Sequence, residues 1–137
     1  MKAPLETTAI GYTVAEQTYG PISREDLRRY AEASGDSNPL HLDPAFAAKA
    51  GFEDVIVHGM LGMALLGRLL DEQVAKQGLI AFRARFRRII KIDQELVCRA
   101  RLTGRVSGTV SLSLEMLDPG NAVLIEGSAT VGIGESR

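Results

Sequence analysis

The sequence predicts an α+β domain in which an antiparallel sheet wraps around one long helix. A stretch from residue 59 to about residue 77 has helical character and is apolar almost all round in its first half. Between residues 80 and 131, apolar residues repeatedly alternate with polar or charged ones. Such a helix needs cover on several sides and such strands have one apolar face to bury, so each can cover the other. The length of 137 residues predicts that residues 1–137 form one domain.

Composition excludes several classes of partner. The net charge of −1 gives no general attraction to nucleic acids or membrane surfaces, and no charge-free run of 18 apolar residues exists to span a membrane. The single cysteine, Cys98, cannot form an internal disulfide, and the N-terminus lacks the long apolar run of a signal peptide. These features predict a soluble, cytoplasmic protein.

The first elements follow an irregular segment, residues 1–11. Residues 12–19 are rich in Thr, Val and Tyr, which favours a strand. A helix is expected after Ser23, because Ser23 can cap it and Asp26 stands at the capping-box position. Gly35 is a suitable residue to end that helix.

Two more helices are expected. Asp43 and Pro44 are typical of a helix start, and Gly51 ends that short segment. The long helix from residue 59 ends before Gly78. Its surface is narrow at the small residues Gly59, Gly62, Ala64 and Gly67. An interior glycine lowers helix stability by about 1 kcal/mol relative to alanine. A close neighbour is therefore expected, which is either the sheet or a bound ligand, or both.

The remainder of the chain predicts consecutive antiparallel strands with one apolar face. The alternation covers residues 80–92, 96–102, 109–116 and 123–131. Turns are expected at residues 104–108 and 119–121. Arg88 interrupts the first alternation, which indicates a strand end, a bulge or a subunit interface. Arg83, Arg85 and Arg87 form either a solvated face or contacts to phosphates.

The segment Gly-Asp-Ser-Asn-Pro-Leu-His, residues 35–41, carries candidate acid–base groups. Pro39 disfavours a regular helix, so Asp36 and His41 are expected on a turn of fixed shape. A carboxylate and an imidazole held in this way can share one water, and Asn38 can hydrogen-bond within the turn. The alternative is an Asx turn that happens to carry a histidine.

The second candidate is the entry to the long helix, at His58 and Gly59. The first N–H groups of a helix lack internal partners, and a glycine there leaves room for a carbonyl to approach. The backbone N–H of Gly59 is therefore a candidate for stabilising an oxyanion. A purely structural role for His58 remains the alternative.

Taken together, YAEASGDSNPLHLDPAFA (residues 30–47) and IVHGML (residues 56–61) resemble the MaoC-like hydratases and dehydratases. The resemblance is strongest to the (R)-specific enoyl-CoA hydratases and extends to the 3-hydroxyacyl thioester dehydratases. It implies a hot-dog fold, with Asp36 and His41 as the catalytic pair. It also implies that the Gly59 N–H binds the thioester carbonyl, with Asn38 and His58 as further substrate-site residues.

The implied reaction is hydration of a trans-2-enoyl thioester to the (R)-3-hydroxyacyl thioester, or the reverse. Asp36 is assigned as base and His41 as proton donor. The substrate is a thioester of coenzyme A or of acyl carrier protein, with no cofactor and no metal. The alternatives are a hot-dog acyl-CoA thioesterase and a non-catalytic subunit that binds acyl thioesters.

Two further expectations concern assembly and the acyl pocket. The open sheet edge of such a small domain predicts a homodimer with its sites near the interface. Gly67 stands near a position where enoyl-CoA hydratases of this kind often carry a hydroxyl residue, so the pocket is expected to be locally wider. The segment after Gly78 also departs from the family's usual glycine- and tyrosine-containing strand entry.

Overall fold

A computed structural model describes residues 5–74 and 78–134, and within them it shows helices and strands in an α+β order. The helices are α1 (Arg24–Ser34), α2 (Pro44–Lys49) and α3 (Gly59–Gln73), and a 3₁₀ turn covers Pro39–His41. The strands are β1 (Thr13–Tyr19), β2 (Ile56–Val57), β3 (Leu79–Phe86), β4 (Ile90–Lys91), β5 (Leu96–Val106), β6 (Thr109–Leu117) and β7 (Val123–Gly132).

The main sheet is antiparallel and has the strand order β1-β5-β6-β7-β3. Strands β2 and β4 pair separately as a short two-stranded sheet. Helix α3 packs on the main sheet, and Leu66, Leu69 and Leu70 are buried between them. This confirms the predicted architecture of one long helix against an antiparallel sheet. None of the helices in the described ranges is long and apolar enough to cross a membrane.

Helix α1 begins and ends where the sequence predicts. The Ser23 side chain accepts from the Asp26 N–H, and the Asp26 carboxylate accepts from the Ser23 N–H, which completes a capping box. Gly35 adopts φ 80° and donates to the Ala31 carbonyl at 2.9 Å. Because the left-handed conformation suits glycine, the helix ends there and the candidate acid–base segment begins immediately afterwards.

The sequence predicts that the first half of α3 is buried on several sides, whereas the structure leaves part of its surface exposed. The sheet covers one side of the helix, and on the other side Met60 is 56% exposed and Ala64 is also exposed. The helix ends at Gln73, whereas the sequence predicts an end near residue 77. Residues 75–77 lie outside the described part of the chain, as do residues 1–4 of the N-terminal segment.

The strand pattern also differs from the prediction in its connections. Strand β3 pairs with β7 rather than with a sequence neighbour, and only β5, β6 and β7 pair in consecutive order. The alternation predicted for residues 80–92 is interrupted because the N–H groups of Arg87 and Arg88 both donate to the Leu124 carbonyl. Strand β5 continues to Val106, so the turn to β6 is shorter than predicted.

Candidate active site

Residues 36–41, the acid–base turn, are held in shape by local hydrogen bonds. The Asn38 side-chain oxygen accepts from the Leu40 N–H at 3.0 Å and caps the 3₁₀ turn. The Asn38 N–H in turn donates to Asp36 Oδ1 at 3.3 Å. Pro39 stands at the first position of the 3₁₀ turn, where its fixed φ is favourable. The turn therefore presents Asp36 and His41 from one short, locally braced segment.

The imidazole of His41 has one nitrogen fixed and one available. His41 Nδ1 lies 2.7 Å from the Ile56 carbonyl oxygen. A carbonyl only accepts, so Nδ1 carries a hydrogen and proton exchange is left to Nε2. The Nε2 atom lies 4.0 Å from Asp36 Oδ2. That separation is too long for a direct hydrogen bond but suits one water bonded to both atoms.

His58 supports this arrangement from behind. Its side chain is only 1% exposed, and its ring stacks on His41 with centroids 3.8 Å apart and planes 22° apart. His58 Nε2 lies 3.1 Å from the Asp36 carbonyl oxygen and must donate to it. The Tyr30 ring of α1 meets His58 edge-on at 4.7 Å. Burial lowers the pKa of His58, which favours the neutral ring.

The helix entry, residues 58–60, supplies unpaired donors. The N–H groups of Leu61 and Gly62 both donate to the His58 carbonyl, at 3.0 and 3.2 Å. Those of Gly59 and Met60 meet no acceptor within residues 5–74 and 78–134. The positive end of the α3 dipole lies at this entry, so an N–H here suits a carbonyl oxygen that gains negative charge.

His41 and Gly59 line the same cleft, which has a volume of about 370 Å³. Phe86 covers the Gly59 side of it, with ring atoms 3.2 to 3.4 Å from where a Cβ on Gly59 would lie. Arg87, Arg88 and Ile89 also line the cleft. Asp36 does not line the cleft itself, but its Oδ2 atom lies 4.0 Å from His41 Nε2. The wall of the cleft therefore carries His41 and a free helix N–H, with Asp36 next to His41 but outside the lining.

Neither Asn38 nor His58 lines the cleft, although both were expected to contribute to the substrate site. Asn38 caps the 3₁₀ turn, and His58 is buried behind His41. Each therefore acts on the geometry of the acid–base turn in this structure. No sequence signal pointed to the stacked histidines, which lie 17 positions apart along the chain.

A larger groove of about 560 Å³ lies on the other face of the sheet. It includes the side chains of Arg83, Arg85, Arg99, Arg101, Glu115 and Glu126. Arg99 is held by Glu16 and Glu115, at 2.9 and 3.0 Å. This groove has no pairing of a general base with a free helix N–H, so the smaller cleft is the candidate active site.

Gly67 does not line the candidate cleft, so the local widening expected there stays a prediction. A Cβ at Gly67 would lie 3.4 Å from Phe82 Cε2, which is an ordinary contact distance. The Phe82 ring of β3 therefore leaves room for a methyl group at this position. The packing of β3 on α3 therefore does not by itself require a glycine here.

Asp36, His41 and His58 have potential ligand atoms within 4.8 Å of one another, which raises the question of a metal. His58 Nε2 donates a hydrogen to the Asp36 carbonyl and so has no lone pair to offer. His41 Nδ1 is likewise bonded to Ile56. The remaining lone pairs, on His58 Nδ1 and His41 Nε2, belong to rings stacked in separate planes, and His58 Nδ1 is buried. The cluster therefore fits acid–base chemistry better than a metal site.

Comparison with known proteins agrees with this geometry. A family model described as "MaoC like domain" matches residues 6–116. The chain is 34% identical over 110 residues to an (R)-specific enoyl-CoA hydratase of Aeromonas caviae, which covers 77% of this chain and 82% of that protein. It is 40% identical over 76 residues to a mitochondrial 3-hydroxyacyl-[acyl-carrier-protein] dehydratase of Arabidopsis thaliana, but spans only 46% of that protein.

The fold agrees as well. The structure of an (R)-hydratase from Aeromonas caviae involved in PHA biosynthesis superposes with a TM-score of 0.85 at 28% identity. The match covers 94% of this chain and 99% of that one. The predicted hot-dog fold is thereby confirmed.

Proposed function

Because this chain belongs to the MaoC like domain family, we propose that it catalyses the reversible hydration of a trans-2-enoyl thioester to the (R)-3-hydroxyacyl thioester. The observation that carries the proposal is the 4.0 Å gap between Asp36 Oδ2 and His41 Nε2, beside a cleft that also contains the free N–H of Gly59. The gap suits the attacking water, and the N–H suits the thioester oxygen.

The reaction follows from these three groups. The water in the gap donates to Asp36 and accepts from protonated His41 Nε2. Asp36 takes a proton as the water oxygen bonds to Cβ, and the electrons of the double bond move toward the thioester carbonyl. The Gly59 N–H stabilises the resulting enolate oxygen, a bond that strengthens as negative charge develops.

Protonation of Cα completes the addition. His41 gives its Nε2 hydrogen to Cα, and the proton on Asp36 then returns to Nε2, so both groups are regenerated. The hydrogen bond from Nδ1 to Ile56 restricts the exchange to the nitrogen that faces Asp36. No cofactor takes part in this scheme.

We propose coenzyme A as the thioester carrier, with acyl carrier protein as the alternative. Arg87 and Arg88 both line the cleft. Arg87 is held by Glu126 at 2.8 Å, whereas Arg88 forms no ion pair within the described ranges. A free guanidinium at the cleft is suited to a phosphate of coenzyme A.

We further propose a homodimer formed at β3. This strand is an edge of the main sheet, so its outer N–H and C=O groups have no neighbouring strand among the residues that the structure describes. It also exposes apolar side chains, including Ile80 at 62% and Phe86 at 48%. Because Phe86 lines the cleft, such a dimer would place the site near the interface. Light scattering on a size-exclusion column tests this, and a monomer at micromolar concentration would contradict it.

The alternatives have less support in the structure. The apolar part of α3, residues 59–70, carries no carboxylate to activate water for thioester hydrolysis. Glu72 lies beyond it and is bound by Tyr19 and Arg68, at 3.3 and 3.2 Å. A non-catalytic subunit would have no need of the braced Asp36–His41 pair. We retain the cytoplasm as the expected location, since the one cysteine, Cys98, is buried and free.

Incubation of the purified protein with crotonyl-CoA tests the function. We expect loss of the conjugated enoyl absorbance and formation of (R)-3-hydroxybutyryl-CoA, identified by chiral separation. A thiol reagent in a parallel reaction detects free coenzyme A. Release of thiol without hydration would favour a thioesterase, and neither reaction with enoyl thioesters of several chain lengths would contradict the proposal.

A further inference from the structure

His58 is the residue at which the two parts of the site meet. It immediately precedes Gly59, it donates from Nε2 to the Asp36 main-chain carbonyl, and its ring stacks on His41. The hydration scheme above uses none of its atoms, and its 1% exposure keeps it from touching a substrate. His58 is nevertheless in contact with Asp36 and His41 and is bonded directly to Gly59, the three residues whose groups take part in the scheme.

We propose that His58 is a positioning residue that fixes the acid–base turn relative to the helix entry. The hydrogen bond holds the Asp36 main chain, and the stacked ring holds the plane of His41. The water gap thereby keeps one distance and direction from the Gly59 N–H. This inference rests on the proposed hydration reaction, because it assigns a role within that site.

Histidine combines two properties that this position uses. A phenylalanine would offer a flat ring to His41 but no donor to Asp36. A glutamine would place an amide N–H close to the position of Nε2 but would offer no ring. Histidine offers both, and packing alone does not require that combination.

The other nitrogen of His58 argues against a role in stability alone. Nδ1 is buried and has no hydrogen-bond partner within residues 5–74 and 78–134. A buried acceptor without a donor destabilises the folded state, so a residue present only for packing would avoid it. The unpaired Nδ1 is thus explained if the imidazole ring is needed to position Asp36 and His41.

The surroundings also keep His58 neutral. The groups that face its ring are Asp36 and His41 of the acid–base turn and Tyr30 of α1. A second proton would have to enter at the buried Nδ1, next to the His41 ring. Burial accordingly lowers the pKa of His58, which favours the neutral ring that donates only from Nε2.

Two variants separate the contacts. His58→Phe keeps the ring and removes the donor, whereas His58→Gln keeps the donor and removes the ring. For hydration of crotonyl-CoA, we expect each to lower kcat by at least about tenfold with KM within about twofold, because small misplacements of reacting groups are costly. Since the Phe variant also removes the unpaired Nδ1, its melting temperature should equal or exceed that of the wild type.

Kinetics and melting together decide the proposal. Variants that keep kcat within about twofold of the wild type would overturn it while leaving the proposed reaction intact. If both variants instead lose kcat only in proportion to lost folded protein, His58 is structural and the proposal is overturned as well.

A readout without turnover separates this proposal from the proposed reaction. Imidazole ¹⁵N signals of the wild type at pH 7.5 should show a neutral His58 with hydrogen on Nε2 and none on Nδ1, as its hydrogen bond to the Asp36 carbonyl requires. If the wild type fails to hydrate enoyl thioesters, the proposed reaction fails, and this spectrum still tests how His58 is held. A His58 with its hydrogen on Nδ1 instead of Nε2 at that pH would overturn its positioning role, because it could not donate to Asp36.

Discussion

The ring of Phe86 lies across the start of α3, with atoms 3.2 to 3.4 Å from where a Cβ on Gly59 would be. The cleft is therefore narrow at the N–H proposed to bind the thioester oxygen, and glycine keeps that N–H open. Phe86 is 48% exposed, so its ring has room to shift when the contact tightens.

Gly59→Ala tests this constriction. The added methyl group would press on Phe86 and crowd the approach of the thioester oxygen, so we expect kcat/KM to fall about tenfold to a hundredfold. Stability should change by less than about 1 kcal/mol, because alanine favours the helix and the ring can move. The double variant Gly59→Ala/Phe86→Leu should recover part of the loss, and full activity in Gly59→Ala alone would contradict a role for this N–H.

The other two glycines of α3 should respond in opposite ways. A Cβ at Gly62 would lie 2.6 Å from Ile90 Cδ1 and 2.8 Å from Ile125 Cδ1, and both isoleucines are buried. We expect Gly62→Ala to lower the free energy of unfolding by about 1 to 2 kcal/mol through overpacking. The methyl group of Gly67→Ala would make only an ordinary contact. Because alanine favours the helix, this variant should raise the free energy of unfolding by up to about 1 kcal/mol. Urea denaturation of the two variants measures both effects, and the reverse ranking would contradict the tight contact of Gly62 with Ile90 and Ile125.

Stability should depend on pH through His58. Its pKa is lowered in the folded protein, mainly by burial, from 6.5. The unfolded chain therefore binds more protons than the folded one below about pH 6.5, and the free energy of unfolding should fall as pH drops from 7.5 toward the folded pKa. The His58→Gln variant should lose this component, measured by urea denaturation at pH 7.5 and pH 5.5. The matched variant His41→Gln should retain it, and an unchanged pH dependence in His58→Gln would contradict the assignment.

The carrier can be tested at Arg88. If its guanidinium binds a phosphate of coenzyme A, Arg88→Gln should raise KM for crotonyl-CoA by about threefold to tenfold, as expected for one charge-assisted contact. KM for crotonyl-pantetheine, which lacks phosphate, should stay unchanged. Arg101→Gln is the control, because Arg101 lies outside the cleft and near Glu115 at 3.9 Å. Equal effects of Arg88→Gln on both substrates would contradict a phosphate contact.

Local patterns predicted the fold well where a residue's own conformation decides the outcome. Ser23 marks the start of α1 and Gly35 marks its end, as expected. The acid–base turn and the helix entry, the two candidate segments, lie together at one cleft. The pairing of β3 with β7 could not be read from the chain, because the alternation of apolar residues identifies a strand without naming its neighbour. The same limit applies to the exposed side of α3, which depends on how much of the helix the sheet covers.

The site was predictable in its groups but not in its contacts. Asp36, His41 and Gly59 follow from a proline-fixed turn, a helix start and a family resemblance. The stack of His41 on His58 and the contact of Phe86 with Gly59 depend on how separate elements pack. No spacing in the sequence reports such packing, so the positioning role of His58 emerges only in three dimensions.

The most direct measurement is the steady-state hydration of crotonyl-CoA by Asp36→Asn beside the wild type. The amide can still accept from the Asn38 N–H but cannot take a proton from the water, so kcat should fall by at least about a hundredfold. KM and the melting temperature should stay near those of the wild type, since Asp36 is 49% exposed. Asp71→Asn, which changes an exposed acid of α3 outside the cleft, should retain full activity. A kcat for Asp36→Asn within about twofold of the wild-type value would contradict the acid–base role of the Asp36–His41 pair.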